Sequence, residues 1–330
     1  MNFLSEYGLF LAQSLTIVIA IIATCSSIAV ITGKNRDKER IEITNLNKKY
    51  QEIKELLNRK TLIKSEFKKL QKKEQQTKAA QKKLSKNTSL KSRTFVLEFN
   101  GDTKASAVEN LRKEITAILT TITHDDEVLI KIESSGGIIH GYGLAASQLK
   151  RIRDRKIPLT VVIDKVAASG GYLMACVADR IFAAPFAIIG SIGVIAQLPN
   201  FNRFLKKNGI DFEQLVAGKY KRTLSLFAKN TREGKEKTQQ DVEEAHTLFK
   251  NFVSLNRPNI DISKIATGEI WYGTKAKELN LIDNIITSDD YLLNRSKKSR
   301  IFKVKCTIRN SLTERFSLFI QNNISKILKQ

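Results

Sequence analysis

The chain has 330 residues, 42% of them hydrophobic, with 56 Lys and Arg against 33 Asp and Glu, a formal charge of +23. That length and apolar content suit one α/β domain of about 200 residues with appendages. The charge is uneven, with 20 Lys and Arg against 7 Asp and Glu between Lys34 and Arg93. That stretch lacks the aromatic interleaving of a single-strand binder, which argues against nucleic acid as a partner. Cys25, Cys176 and Cys306 form no CxxC pair. The sequence therefore gives no disulfide framework, no metal site and no sign of a cofactor.

Leu9 to Ile31 carries no charge. As a helix it would span about 34 Å, enough for a hydrocarbon core of about 30 Å. The only charged side chain before it is Glu6, so the basic n-region of a secretory signal is missing, and Thr24 before Cys25 argues against lipidation. Residues 1–33 are thus expected to be a retained single-pass anchor in a lipid bilayer. Lys34, Arg36, Lys38 and Arg40 follow at once, so the positive-inside rule favours the cytoplasm for the bulk of the chain, but the side of the membrane stays open.

Residues 34–92 read as a basic connector. Leu46, Tyr50, Ile53 and Leu57, then Ile63, Phe67 and Leu70, form a helical stripe. From Gln71 to Lys91 the stripe gives way to Lys, Gln, Ser and Thr, which predicts a flexible tether. So many cations near a bilayer would be drawn to anionic headgroups.

Residues 93–290 form the working domain, in which strand and helix patterns alternate. Strands are expected at 94–99, 128–132, 158–164, 180–184 and 191–196, and helices at 108–122, 141–152 and 172–178. Short links between them mean an α/β domain with mostly parallel strands. Asn230 to Arg257 reads as a long charged helix with a structural, subunit-packing role. Residues 291–330 read as a basic tail with an amphipathic stripe from Leu312 to Leu328, suited equally to packing and to membrane contact.

Two glycine-bearing turns lie at strand ends, where such sheets place their chemistry. Ser169 stands where a strand hands over to a helix and precedes Gly170-Gly171. A hydroxyl there suits acyl transfer, with N–H groups of Gly170 and of the Gly136-Gly137 turn as oxyanion donors. Helix capping by Ser169 is the competing reading. As base for such a serine the sequence offers His124, His140 or His246, or a lysine, with Lys221 set among Tyr220, Arg222 and Leu224. A lysine base must be uncharged at working pH, which burial and neighbouring cations favour.

Ser134-Ser135-Gly136-Gly137, Val166-Ala167-Ala168-Ser169-Gly170-Gly171-Tyr172, Ile189-Gly190-Ser191-Ile192-Gly193-Val194 and Gly218-Lys219-Tyr220-Lys221-Arg222-Thr223 occur in that order. Together with the start Leu4 to Ala12 they resemble the signal peptide peptidase A family of serine peptidases, closest to its SohB-type inner-membrane members. The resemblance runs from the anchor to about Asp290. It implies a ClpP/crotonase-like fold of repeated strand–strand–helix units. It further implies a membrane-anchored serine endopeptidase of the bacterial inner membrane, acting on peptides or on misfolded or membrane-derived polypeptides. Ser169 matches the nucleophile, Lys221 the general base, and Ser191 a serine that orients that lysine. Backbone N–H groups of Gly136, Gly137 and Gly170 match the oxyanion hole. Relatives of this kind assemble as homo-oligomers in which Ser and Lys can come from different subunits. Two departures stand out: Ser135 replaces the family's usual proline, and Asn280 replaces a glycine at a helix stop, where Asn is the next best residue. A membrane-tethered scaffold that keeps the fold without the chemistry is the alternative, and a crotonase-type acyl-CoA enzyme a further one.

Overall fold

The computed structural model describes residues 2–32, 39–84 and 92–308. The chain divides into two compact units, one of Met1–Glu42 with Cys306–Gln330 and a larger one of Ile43–Lys305. In the smaller, α1 (Asn2–Thr32) is a helix of 31 residues. Its Leu9, Phe10, Leu15, Ile17, Ile19 and Ile22 are all more than half exposed. Most side chains of the expected span beyond Ile22 lie outside the described residues. Among the described residues no helix is long and apolar enough to cross a membrane.

After α1 come β1 (Glu39–Asn45), α2 (Leu46–Thr61), α3 (Lys64–Leu84), β2 (Arg93–Gly101), α4 (Val108–Leu119), β3 (Glu127–Ser134) and α5 (Ile139–Arg153). Next come β4 (Leu159–Ile163), β5 (Val166–Ala168), α6 (Gly170–Ala175), β6 (Arg180–Ala183), β7 (Ile188–Gly190), α7 (Asn202–Lys207) and α8 (Arg232–Asn256). The last elements are α9 (Ile262–Ile265), β8 (Ile270–Tyr272), α10 (Gly273–Glu278), β9 (Asn284–Ile285), α11 (Ser288–Ser296) and β10 (Arg300–Ile308).

A parallel sheet runs in the order β10-β2-β3-β4-β6-β9, with β1 at the β10 edge. Both faces of its middle are covered, so β3 and β4 read as nearly unbroken apolar runs: Val128, Leu129, Ile130 and Ile132, then Leu159 through Ile163. On α4, the face that goes inward carries Val108, Leu111, Ile115 and Ile118, at helical spacing.

The sheet forks at β3. Val128 to Lys131 pair with β4, whereas Ser134 pairs with Ala167 of β5. From there β5 pairs in parallel with β7, and β7 antiparallel with β8. Strand–strand–helix units result, β4-β5-α6 being the clearest. The fork puts the end of β3, the end of β5 and the end of β7 beside one another.

Four elements differ from the sequence expectation. Gln71–Leu84, expected as tether, continues α3, because Lys, Gln and Ala are good helix formers even without an apolar stripe. Of that tether, residues 85–91 lie outside the described residues. Ser191–Ala196 is not a strand, since β7 stops where Gly190 and Ser191 adopt φ of 101° and 52°. Beyond residue 290 the chain is not all tail: α11 leads into β10, which pairs with β2 through Arg300 to Lys303. Leu312 to Leu328 lies outside the described residues. Finally, β1 stands where the connector was expected to be helical or loose. The Asn280 substitution behaves as expected, with φ 60° just past α10.

The starts of β2 and β3 are clamped by Asp126. Its carboxylate accepts from the Arg93 backbone N–H (2.8 Å), the Arg93 guanidinium (2.6 Å) and the Thr123 N–H (2.8 Å). Burial alone would raise the Asp126 pKa, but the bonds from Arg93 and Thr123 outweigh it and bring it down to about 2. A lowered carboxyl pKa contributes stability that is fully present above about pH 4 and fades as pH falls toward 2. We expect Asp126→Asn to lower the unfolding free energy at pH 7 by about 2 kcal/mol and to flatten the loss of stability between pH 4 and 2. Thermal melts at stepped pH check this, and parallel curves for the two proteins would refute it.

Candidate active site

Ser169 follows β5 with φ 51° and ψ −118°, a left-handed conformation that costs a side-chain-bearing residue about 1–3 kcal/mol. The fork holds it there: the Ser169 N–H donates to the Gly190 carbonyl (2.7 Å), and the Ser169 carbonyl accepts from the Leu173 N–H (2.9 Å). The Ser169 side chain makes no capping bond to α6. Capping therefore does not account for this serine, and its half-buried hydroxyl faces a cleft.

Ala168 pairs with Gly190, so Ser169 and Ser191 leave adjacent strands side by side. Ser191 shares the left-handed φ, and its N–H donates to the Glu269 carbonyl (2.6 Å). The second glycine turn closes on the same point. A Cβ at Gly136, where φ is 92°, would stand 2.7 Å from both the Gly170 nitrogen and the Ser169 Cβ.

The three glycine donors are not equivalent. The Gly136 N–H donates to the buried Ser134 Oγ (3.1 Å) and is thereby committed. Among the described residues, the N–H groups of Gly137 and Gly170 have no hydrogen-bond partner. They remain as a pair of donors on either side of the contact between the turns.

Lys221 is placed elsewhere. It is exposed, in a segment tied to the first turns of α8 by the Lys219–Glu233 ion pair (2.7 Å) and by Thr238 Oγ1 donating to Thr223 Oγ1 (3.0 Å). The cleft at Ser169 meets α8 farther along, at Ala245, Leu248, Phe249 and Phe252. From Thr238 to Phe249 a helix rises about 16 Å. Lys221 is not among the residues that line the cleft. Of the histidines, His140 lines the cleft, His124 is exposed, and His246 on α8 is half-buried with Nε2 unpartnered.

The cleft encloses about 990 Å³, and Ile138, Ile139, Leu173, Val194 and Phe249 give it apolar walls. Behind the serine the scaffold is inert. Burial pushes the Cys176 thiol far up, so it stays protonated, and Tyr172 donates to the Leu281 carbonyl (2.9 Å). Among the described residues no group of His, Cys, Asp and Glu gathers to hold a metal ion.

Sequence reasoning missed Tyr142 and Ser134. Both are buried and hydrogen-bonded to each other, and Tyr142 also donates to the Asp102 carbonyl (2.7 Å). The available signal was a tyrosine on the buried face of a helix beside a glycine turn, since a buried phenol needs a polar partner.

Comparison with known proteins gives a consistent family. Residues 2–149 match the model of peptidase family S49 N-terminal, and residues 151–301 that of peptidase family S49. "Probable protease SohB" of Haemophilus influenzae is 46% identical over 96% of this chain and 92% of its own length. Its namesake from Buchnera aphidicola subsp. Schizaphis graminum is 47% identical over 99% and 97%. Among solved structures, a point mutant of ClpP1 from Listeria monocytogenes is similar at TM-score 0.41 and 16% identity, covering 60% of this chain and 94% of that one.

The turn geometry makes Gly137 hard to replace. A Cβ there would overlap the Thr103 carbonyl, a backbone group that also accepts from the Ile138 N–H (2.9 Å) and cannot rotate away. We expect Gly137→Ala to cost about 1–3 kcal/mol, read as a lower melting temperature by circular dichroism. Gly143→Ala, inside α5 and with nothing within 4 Å, should leave the melting temperature unchanged or raise it.

Proposed function

Since the chain belongs to peptidase family S49 and is a peptidase, we propose that it is a membrane-anchored serine endopeptidase in which Ser169 is the nucleophile and Lys221 of a neighbouring copy is the base. The observation that carries this reading is the Ser169 turn: a hydroxyl without a capping role, held in a strained conformation, where two turns with unpartnered N–H groups at Gly137 and Gly170 meet. Backbone strain of that kind persists where the surroundings over-determine it, and functional sites collect it.

In the proposed reaction, neutral Lys221 takes the Ser169 hydroxyl proton as Oγ bonds to the scissile carbonyl carbon. The carbonyl oxygen becomes an oxyanion held by the N–H groups of Gly137 and Gly170. As the C–N bond breaks, Lys221 passes its proton to the leaving amine. Water then attacks the acyl-enzyme, giving a proton to Lys221, and Ser169 recovers it as the acid departs. Ser191, beside Ser169, would accept from or donate to the lysine and orient it.

The position of the lysine supports its supply by another subunit. It is exposed in the single chain, so the apolar surroundings that a lysine base needs would come from a second copy. The segment carrying it exposes Phe204, Phe212, Leu215 and Tyr220, with Leu215 at 97%. Such a surface suits a subunit contact in a homo-oligomer. The apolar cleft supports an extended polypeptide substrate presenting an apolar side chain near the cut. The apolar run Leu9 to Ile31 and the basic connector support attachment to a bacterial inner membrane, with Lys-rich α2 and α3 near anionic headgroups. The exposed Lys221 also favours a second reading, a tethered scaffold without catalysis.

A serine-directed fluorophosphonate and a protein substrate separate the two. Ser169→Ala should abolish labelling, and both Ser169→Ala and Lys221→Ala should cut hydrolysis by more than about 10³-fold. His140→Ala should retain hydrolysis. Co-expressed Ser169→Ala and Lys221→Ala chains should recover part of the activity, because mixed assemblies contain sites with both groups. No labelling of the well-folded wild-type oligomer would favour the scaffold, and no recovery would put the base in the same chain or elsewhere.

A further inference from the structure

Tyr142 touches both turns of the site. Its hydroxyl reaches the Gly136 turn through Ser134, and its ring backs Gly170 so closely that a Cβ on Gly170 would overlap the Tyr142 Cγ, Cβ and Cδ1 atoms. Gly101 supports the arrangement from behind, since a Cβ there would collide with the Tyr142 hydroxyl, Ser134 Oγ and the Phe99 ring. The Phe99 and Tyr142 rings meet edge to face, with centroids 6.1 Å apart.

The protons of this chain of bonds can run in one direction only. The Asp102 carbonyl accepts and cannot donate, so the Tyr142 O–H is directed at it. Tyr142 Oη must then accept from the Ser134 hydroxyl, which leaves Ser134 Oγ as acceptor for the Gly136 N–H. Every donor is used once, and bonds aligned in this way strengthen one another in a buried setting. Ser134 and Tyr142 are 2% and 0% exposed, so water does not compete.

We propose that Tyr142 is a positioning residue that fixes the separation and direction of the Gly137 and Gly170 N–H groups. The relay through Ser134 and Gly136 holds one donor turn and the aromatic ring holds the other, with one side chain bridging the two. The inference rests on the reading of Ser169 as nucleophile for its catalytic consequence, but not for its structural one. Preorganised donors lose their effect when they are misaimed by fractions of an ångström.

The test uses the full-length wild-type, Tyr142→Phe and Ser134→Ala proteins and the double variant. A fluorogenic peptide amide with an apolar residue before the scissile bond serves as substrate, and the matching peptide aldehyde as inhibitor. Tyr142→Phe keeps the ring and loses the relay. Its kcat should fall roughly ten- to hundredfold with KM within about twofold, and its aldehyde Ki should rise in step with the fall in kcat. The double variant should be no worse than the worse single one, because one break already disconnects the relay. Hydrogen–deuterium exchange over Ser135–Ile138 should quicken in Tyr142→Phe whether or not the protein cleaves anything. An unchanged kcat in an active enzyme, a rise in KM alone, additive losses, or unchanged exchange over that segment would each overturn the proposal. A wild-type protein that neither cleaves nor labels would overturn the Ser169 reading instead, and the exchange result would still decide whether Tyr142 holds the turn. Should Tyr142→Phe fail to fold, Ser134→Ala carries the same comparisons.

Discussion

One backbone hydrogen bond, from the Ser169 N–H to the Gly190 carbonyl, is the constraint on which the site depends. It closes the short parallel pair of β5 and β7 and fixes Ser169 at φ 51°. Three-residue strands contribute little by themselves. Their rigidity is borrowed from β3, which bridges β4 and β5 along its own length, and from β8, which pairs with β7 on the far side. Strain of about 1–3 kcal/mol at Ser169 is thus offset by a core in which Val128 to Ile130 and Leu159 to Ile163 are wholly buried. The helix α6 starts directly after the serine and is too short to hold it in place. The sheet does that.

The same logic separates what was legible in the sequence from what was not. The Ser169 and Gly136-Gly137 turns were legible as turns because paired glycines interrupt the apolar runs at strand ends, and β2 to β4 because parallel strands buried on both faces read as continuous apolar runs. The fork was not legible. β5 and β7 are three residues each, below the length at which periodicity carries information, and Ser191 to Ala196 is the more strand-like piece by composition. Pairing of β10 with β2 joins residues some two hundred positions apart, and no local pattern encodes that. The course of α3 past Gln71 was hidden by a polar composition that resembles a tether, although its Lys, Gln and Ala residues favour helix one by one.

The departure at Ser135 takes on a definite meaning in this setting. Proline restrains a turn by limiting its own backbone, whereas Ser135 is exposed and restrains nothing. The turn is held from the inside, by the Ser134 side chain accepting from the Gly136 N–H. The bond also changes which glycine is useful. By engaging Gly136 it removes that N–H from the set of possible oxyanion donors, and the turn presents Gly137 instead. A backbone motif read as two equivalent glycines has unequal members, one structural and one facing the cleft.

In the proposed mechanism, donors and base face opposite demands. Oxyanion donors gain their effect from not moving, so they belong on the sheet, next to residues held by several bonds at once. A lysine base needs a dry, cation-disfavouring environment only while it works, and an exposed loop can acquire one by docking. The segment with Lys221 lies on the polar first turns of α8, whereas the later turns of the same helix line the cleft of Ser169. In the proposed assembly, a neighbouring chain would bring the lysine to that cleft. On the proposed reading, a lone chain leaving synthesis would hold a strained serine and two waiting donors but no base, and hydrolysis would begin only once assembly supplied it.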